Sequence, residues 1–237
     1  MLGRFPVVGG FKKCLILAGI AWTGVGIASQ SRAASIFLQS PVNNSGSFRS
    51  DLQGGSQGAD NFSVTSANSV VSVHWWGNYD VNPTVAPSFS VRFFLDNGSG
   101  SPLATPFSTQ SLTSIAVTPT ALTTDAAHNS RPVLDFKANL LSSIPLTAGT
   151  TYYISIVDNS ADQWNWSDFI PPPSPLDGAW NRSADGQAWS SNGVNMAFEL
   201  NNTTVPIPTP SALGAGLLLL AAMGLAAKCA PKAKGRV

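Results

Sequence analysis

The sequence predicts an all-β protein: a single antiparallel β-sandwich, flanked by an N-terminal signal helix and a C-terminal transmembrane helix. Short segments of the central chain alternate apolar and polar residues, as strands with one buried face do. Clusters of Gly, Pro, Asn and Asp separate these segments. The central region also lacks the sustained three- and four-residue apolar spacing of an amphipathic helix.

The predicted strands follow one another along the chain with turn residues between them. They are Val71–Trp76, Phe89–Leu95 with the turn Asp96-Asn97-Gly98, a weaker strand near Ser114–Thr118, Tyr152–Val157 before Asp158-Asn159, and Met196–Leu200. The weaker strand lies in a long connection, residues 99–124, that is rich in Ser, Thr and Pro. Residues 171–175 are mostly proline and are predicted to form a surface loop, because proline cannot donate to a sheet ladder.

The N-terminal 33 residues are typical of a secretory signal peptide. A basic segment with Arg4, Lys12 and Lys13 precedes an apolar stretch from residue 14 to residue 28. Small residues then place the cleavage site between Ala33 and Ala34. The alternative is an uncleaved N-terminal anchor. Both interpretations predict that residues 34–204 are exported.

The C-terminal residues 205–237 form three consecutive segments. A Pro-rich spacer covers residues 205–211, an uncharged apolar run covers residues 212–227, and a basic end covers residues 228–237. The basic residues are Lys228, Lys232, Lys234 and Arg236. This order predicts a membrane helix followed by a cytoplasmic end, because positive residues favour the cytoplasmic side. The 16 apolar residues span about 24 Å as a helix, less than the roughly 30 Å hydrocarbon core.

This tail resembles the PEP-CTERM sorting region of bacterial exported proteins. Its motif reads Val205, Pro206, Ile207, Pro208, Thr209 and Pro210. Ile207 occupies the place of the glutamate in the family pattern, so the tail is a variant. The resemblance implies recognition by an exosortase-type membrane enzyme after the action of signal peptidase, transient membrane attachment, and a final location at the cell surface or outside the cell.

The central region is acidic and free of cysteine. All 12 acidic residues lie within residues 34–204 together with five of the 13 basic residues, which gives this region a net charge of −7. Nucleic-acid binding is therefore not expected, because it needs basic patches. Cys14 and Cys229, the two cysteines of the chain, lie in the terminal segments. The exported region must therefore fold without disulfides.

An ordered series of segments resembles a β-sandwich module of uncharacterised bacterial surface proteins, many of which carry PEP-CTERM tails. The segments are 60–64, 73–79, 89–98, 146–156 and 195–200. The resemblance implies one domain with a jelly-roll-like fold and brings no catalytic residues with it.

Tryptophans provide the most prominent candidate for binding. Six of the seven Trp lie in the exported region. Trp164, Trp166 and Trp180 stand among Asp, Asn and Ser residues and could form a platform for sugar rings. Trp164 and Trp166 would point to the same side of a strand. The alternative is that they belong to the core, since tryptophan is highly buried on average.

Calcium is the candidate ligand that the acidic residues suggest. Asp80, Asp96, Asp158, Asp162, Asp168, Asp177 and Asp185 lie near predicted strand ends. Hard oxygen ligands can converge there, but no calcium-loop spacing assigns a ligand set. Aspartates at strand ends also commonly form turns. No other cofactor is indicated.

The sequence favours a non-catalytic role. The exported region has two histidines, His74 and His128, one glutamate, Glu199, and no nucleophile motif. We therefore expect an exported surface or matrix protein associated with exopolysaccharide or the cell envelope. The alternative is a secreted carbohydrate-active enzyme with an Asp-based site, which would need two opposed carboxylates.

Overall fold

The computed structural model describes residues 34–169 and 178–205, and these residues form fourteen β-strands. In chain order the strands are β1 (Ser35–Gln39), β2 (Ser47–Arg49), β3 (Gln57–Phe62), β4 (Asn68–Tyr79), β5 (Phe89–Leu95), β6 (Ser108–Leu112), β7 (Ala116–Thr123), β8 (Pro132–Leu146), β9 (Tyr152–Asp158), β10 (Trp164–Phe169), β11 (Trp180–Arg182), β12 (Ser190–Ser191), β13 (Asn195–Met196) and β14 (Phe198–Asn201). A single 3-10 turn, Ala126–His128, joins β7 to β8.

The strands form two antiparallel sheets, an arrangement consistent with a β-sandwich. In the eight-stranded sheet, β4 pairs with β8 on one side and with β14 and β10 on the other. The six-stranded sheet has the order β12-β11-β3-β9-β5-β6. The prediction of an all-β fold is confirmed for the described residues. The two predicted terminal helices lie outside them, and no helix within residues 34–169 and 178–205 is long and apolar enough to cross a membrane.

Most strands predicted from alternation occur in the structure. The second predicted strand coincides with β5, and the first, fourth and fifth fall within β4, β9 and β13–β14. The long connection at residues 99–124 contains two strands, β6 and β7, where the sequence predicted one. The 15-residue β8 was not predicted. Its pairing with β4 shifts register between Val70 and Ser72, so its apolar residues do not alternate along the whole strand.

Aromatic rings from both sheets fill the space between them. Phe89 of β5 packs against Trp75, Phe136 and Trp164 of the other sheet, with ring centroids 5.3, 5.3 and 5.0 Å away. All four side chains are fully buried. Each ring therefore contributes a large apolar area to the core, and their edge-to-face contacts add to that burial.

One buried carboxyl group joins the two sheets. Asp60 of β3 is fully buried, and its carboxyl group accepts a hydrogen bond of 2.7 Å from the backbone N–H of Met196 in β13. With its amide nitrogen turned toward this carboxyl, Gln39 of β1 donates a second hydrogen bond at 2.8 Å. Burial raises the pKa of Asp60 to about 7, although the N–H groups of Met196 and Asn61 oppose this rise.

A glycine in β4 makes room for one of the core tryptophans. A Cβ at Gly77 would lie 2.5 Å from Cζ2 of Trp164 and 2.5 Å from the carbonyl oxygen of Asn165. These distances are shorter than van der Waals contact, and one of the atoms belongs to the backbone. Only glycine therefore lets β4 and β10 approach closely here.

We expect Gly77→Ala to lower the free energy of unfolding by about 1–3 kcal/mol, the usual cost of overpacking a core. Urea unfolding of the purified protein measures this loss. Gly58→Ala is the matched control, because a Cβ there would meet its nearest atoms at 3.6 Å. The control should change stability by less than about 1 kcal/mol. Equal losses in both variants would contradict the steric argument.

Candidate functional site

The candidate site lies on the side of the six-stranded sheet that faces away from the core. In β5, Phe89, Val91 and Phe93 belong to the core. Because strand side chains alternate, Arg92 and Phe94 project from the opposite side. Residues 97–107, which follow β5, and residues 183–189, which follow β11, supply the other walls of the site.

Two arginines meet at this surface through one glutamine. Arg182 of β11 lies opposite Gln57 of β3 in the strand register. The Gln57 side-chain oxygen accepts hydrogen bonds from Nε of Arg182, at 2.9 Å, and from Nη1 of Arg92, at 3.0 Å. Arg182 Nη1 also donates to the carbonyl of Ala104 at 2.7 Å. Both arginines are buried, so these hydrogen bonds fix their guanidinium groups.

A single carboxylate serves both arginines. Asp185 Oδ1 lies 2.5 Å from Arg92 Nη1 and 2.5 Å from Arg182 Nη2. Burial lowers the pKa of Arg182, Asp185 opposes this, and the positive charge of Arg92 lowers it further. The two guanidinium groups thus repel each other, and one carboxylate compensates only part of their charge.

Trp189 packs onto the same arginine. The guanidinium carbon of Arg182 lies 4.4 Å from the Trp189 ring centroid and 5.4 Å from that of Phe94. Phe94 meets Trp189 edge to face at 5.4 Å and 87°. Trp189 Nε1 also donates to the carbonyl of Leu103 at 3.1 Å. These contacts hold a half-buried indole in a fixed orientation outside the core.

Two adjoining cavities open around these residues. The first, here called the arginine cavity, measures about 220 Å³, and its walls include Arg92, Arg182, Asp185, Thr105 and Thr109. The second, the Trp189 groove, measures about 460 Å³, and its walls include Trp189, Asn97, Ser101, Leu103 and Gln187. Ala104 and Gly186 line both cavities, so one ligand could extend from one into the other.

The predicted tryptophan platform is wrong for two of its three residues. Trp164 and Trp166 do point the same way, but both are fully buried in the core. Trp166 Nε1 donates to the carbonyl of Ala197 at 2.8 Å. Rings enclosed between two sheets cannot stack on a sugar. The alternative interpretation, that they belong to the core, is the one that the structure supports.

Trp180 and Trp189 differ from these core residues. Trp180 is half-buried in β11 and lines neither cavity. Trp189, which the sequence reasoning did not select, forms the wall of the groove. Its flanking segment, Asp185 to Ser191, is rich in small and polar residues and lacks strand-like alternation. This loop-like composition was the sequence signal that could have identified Trp189 as a tryptophan outside the core.

Five of the seven aspartates proposed for calcium accept hydrogen bonds from other protein groups. Asp96 accepts from Gly98 and Tyr153, Asp162 from Thr84 and Val85, Asp158 from Ser160, Asp80 from Asn165, and Asp185 from the two arginines. Burial raises the pKa of Asp168 to about 6. Within residues 34–169 and 178–205, no group of three or more His, Cys, Asp or Glu side chains could hold a metal ion. Asp177 lies outside these ranges.

His74 lies between two carboxylates on the outer side of the eight-stranded sheet. Its Nε2 is 2.7 Å from Asp135 Oδ1 and its Nδ1 is 2.9 Å from Glu199 Oε2. Burial and nearby Lys137 disfavour the charged ring, but the two carboxylates outweigh them and raise the pKa of His74. With both nitrogens engaged, the ring has no free nitrogen to accept a proton from a substrate.

The predicted processing residues lie at the margins of the described structure. Ala34 is exposed and is the first described residue, and Val205 is the last. Both polar backbone groups of Val205 bond to the side chain of Asn139, at 2.8 and 3.1 Å. The remaining predicted sorting and cleavage residues, Ala33, residues 206–210 and the basic residues 228–236, lie outside the described ranges.

Comparison with known proteins identifies one family. The model of a family described as "Domain of unknown function (DUF7901)" matches residues 36–215, which is most of the chain and includes all of the described strands except the first residue of β1. No curated protein matches the chain.

The His74 network predicts a pH-dependent contribution to stability. Histidine in an unfolded chain has a pKa of about 6.5, and the folded pKa of His74 is higher. The contribution is therefore fully present below about pH 6.5 and is lost as the pH rises through the folded pKa. We expect the free energies of unfolding of the unsubstituted protein and of His74→Gln to differ more at about pH 6 than at about pH 9. Chemical unfolding at both pH values measures this difference. A difference that does not depend on pH would contradict the assignment.

Proposed function

This chain belongs to the DUF7901 family, and we propose that it is a non-catalytic, exported surface or extracellular-matrix protein that binds polysaccharide. The observation that carries this proposal is the Trp189 groove, in which an aromatic side chain held outside the core lines a cavity with polar loop residues. We propose a jelly-roll-like topology for the sandwich as part of the same interpretation.

The groove has the size and the lining that a sugar ligand needs. Its volume of about 460 Å³ falls within the roughly 300–1,000 Å³ of small-molecule sites. Trp189 offers an apolar surface to the apolar face of a sugar ring, and Arg182 occupies one face of the indole, so a ligand would stack on the other. Asn97, Ser101 and Gln187 can exchange hydrogen bonds with the sugar hydroxyls.

The placement of carboxylates supports binding without hydrolysis. Glycosidases use two carboxyl groups on opposite sides of the scissile bond. Among the described residues that line the two cavities, Asp185 is the one carboxylate, and both arginines engage it. Glu199 and Asp135 lie on the other sheet with His74.

Export and sorting form the second part of the proposal. Residues 1–33 have the sequence pattern of a signal peptide, and residues 205–237 resemble a PEP-CTERM tail that an exosortase-type enzyme would recognise. The acidic, cysteine-free composition of residues 34–204 suits a protein that folds after export. Val205, the first residue of this segment, is bonded through its backbone to the side chain of Asn139 in β8.

We expect Trp189→Ala to weaken polysaccharide binding on the order of tenfold or more, because truncating an aromatic anchor removes most of its contact surface. Retention of the purified protein on immobilised exopolysaccharide from the producing cells, followed by titration calorimetry, measures the change.

Two variants control for loss of the fold and for the type of side chain. Trp189→Phe keeps an aromatic face and should retain most of the affinity. Trp180→Ala removes a tryptophan outside both cavities and should bind as the unsubstituted protein does. Unchanged affinity in a folded Trp189→Ala protein would overturn the groove assignment.

The sorting proposal has its own test. We expect the combined substitution Val205→Ala, Pro206→Ala and Pro208→Ala to abolish tail cleavage and to retain the protein at the membrane, because it removes the recognition motif. Fractionation of cells and mass measurement of the C-terminus report both effects. Normal cleavage and normal surface distribution would show that this motif is not the signal that the sorting enzyme recognises.

A further inference from the structure

The charge of the arginine cavity is opposite to that of the domain around it. The exported region carries a net charge of −7. The charged residues that line the cavity are Arg92, Arg182 and Asp185, two cations and one anion. An arginine pair that served only to support the fold would be expected to have a full set of carboxylate partners, because an uncompensated buried charge is costly.

Arg92 also retains a hydrogen-bond donor without an acceptor, whereas Nε, Nη1 and Nη2 of Arg182 all have partners. Arg92 is 7% exposed, and its Nε is buried with no hydrogen-bond partner among the described residues. A guanidinium carries five N–H donors in a planar fork that matches the two oxygens of a carboxylate or sulfate. Thr105 and Thr109 add hydroxyl groups to the same cavity. The cavity therefore combines surplus positive charge and hydroxyl groups with one guanidinium, that of Arg92, whose hydrogen-bonding capacity is not filled.

Asp185 shows how an anion is accommodated here. Its side chain is 65% exposed, and one of its oxygens lies between the two guanidinium groups. It belongs to the segment after β11, which also lines the Trp189 groove through Gly186 and Gln187. A carboxylate at the edge of this cavity thus already receives charge-assisted hydrogen bonds from both arginines.

We propose that the arginine cavity binds an oxyanion carried by a sugar, so that the ligand of this protein is an acidic polysaccharide. The anionic group is the carboxylate of a uronic acid or a sulfate ester, and either one presents anionic oxygens that accept charge-assisted hydrogen bonds from a guanidinium. The inference rests on the proposed function, because the sugar that carries the anion lies in the Trp189 groove. Ala104 and Gly186, which line both cavities, mark the passage between them.

The decisive comparison uses two anionic oligosaccharides and the neutral counterpart of one of them. The full chain, purified in detergent, is titrated calorimetrically with oligogalacturonate, with its carboxyl-reduced neutral counterpart and with a sulfated galactan oligosaccharide. We expect at least one of the two anionic ligands to bind tighter than the neutral one by about tenfold or more, and this advantage should shrink as salt is added. The anionic ligand with the larger advantage identifies the group that the cavity prefers.

Two substitutions should change this advantage in opposite directions. Arg92→Gln removes one cation and should reduce the affinity for the preferred anionic ligand about tenfold or more, with little effect on the neutral one. Asp185→Asn removes the competing carboxylate and should strengthen anionic binding. Because Asp185 is largely exposed, this second variant keeps the test informative if Arg92→Gln fails to fold.

A charge-matched control separates the cavity from the overall charge of the domain. Arg131→Gln also removes one positive charge, lies outside the cavity, and should leave all affinities unchanged. If anionic and neutral ligands bind equally well and both binding events need Trp189, the oxyanion assignment is wrong while the polysaccharide proposal stands. If no ligand binds, and the exopolysaccharide of the producing cells does not bind either, both are wrong.

Discussion

The insertion of Phe89 among Trp75, Phe136 and Trp164 is the packing interaction on which the arrangement of the two sheets depends. It fixes which side of β5 faces the core. Because side chains alternate along a strand, the same contact determines that Arg92 faces away from the core. A shift of one residue in β5 would exchange these two sides, so the core and the candidate site are specified together.

The outer side of the six-stranded sheet is a second, smaller packed layer. Phe94 and Trp189 enclose the Arg182 guanidinium, and Gln57 joins it to Arg92. Arginine suits this place because its planar group can stack on aromatic rings and still donate in the plane. The polar groups are thus fixed by the same contacts that anchor the loops, as a binding surface requires in order to avoid an ordering cost.

Charge is distributed unevenly between the domain and its cavities. The net negative charge of residues 34–204 repels polyanions at long range, but this repulsion is weak beyond a Debye length of roughly 8 Å at physiological salt. Two buried guanidinium groups with one carboxylate act at short range, where screening is less effective. An acidic polymer would therefore be recognised through specific contact with the arginine cavity and would gain little from general attraction.

The amino-acid sequence by itself determined the all-β class, the boundaries of β5 and the separation of charge between the central region and the termini, because alternation and composition are local properties. It also showed that Trp164 and Trp166 share one side of a strand. Only the tertiary structure decided that this side is the interior, since Gly77 lets the two strands approach and the other sheet covers the rings. The candidate site was equally hidden from sequence reasoning: Gln57, Arg92 and the segment from Arg182 to Trp189 are far apart in the chain, and strand pairing through β3, β9, β5 and β11 brings them together.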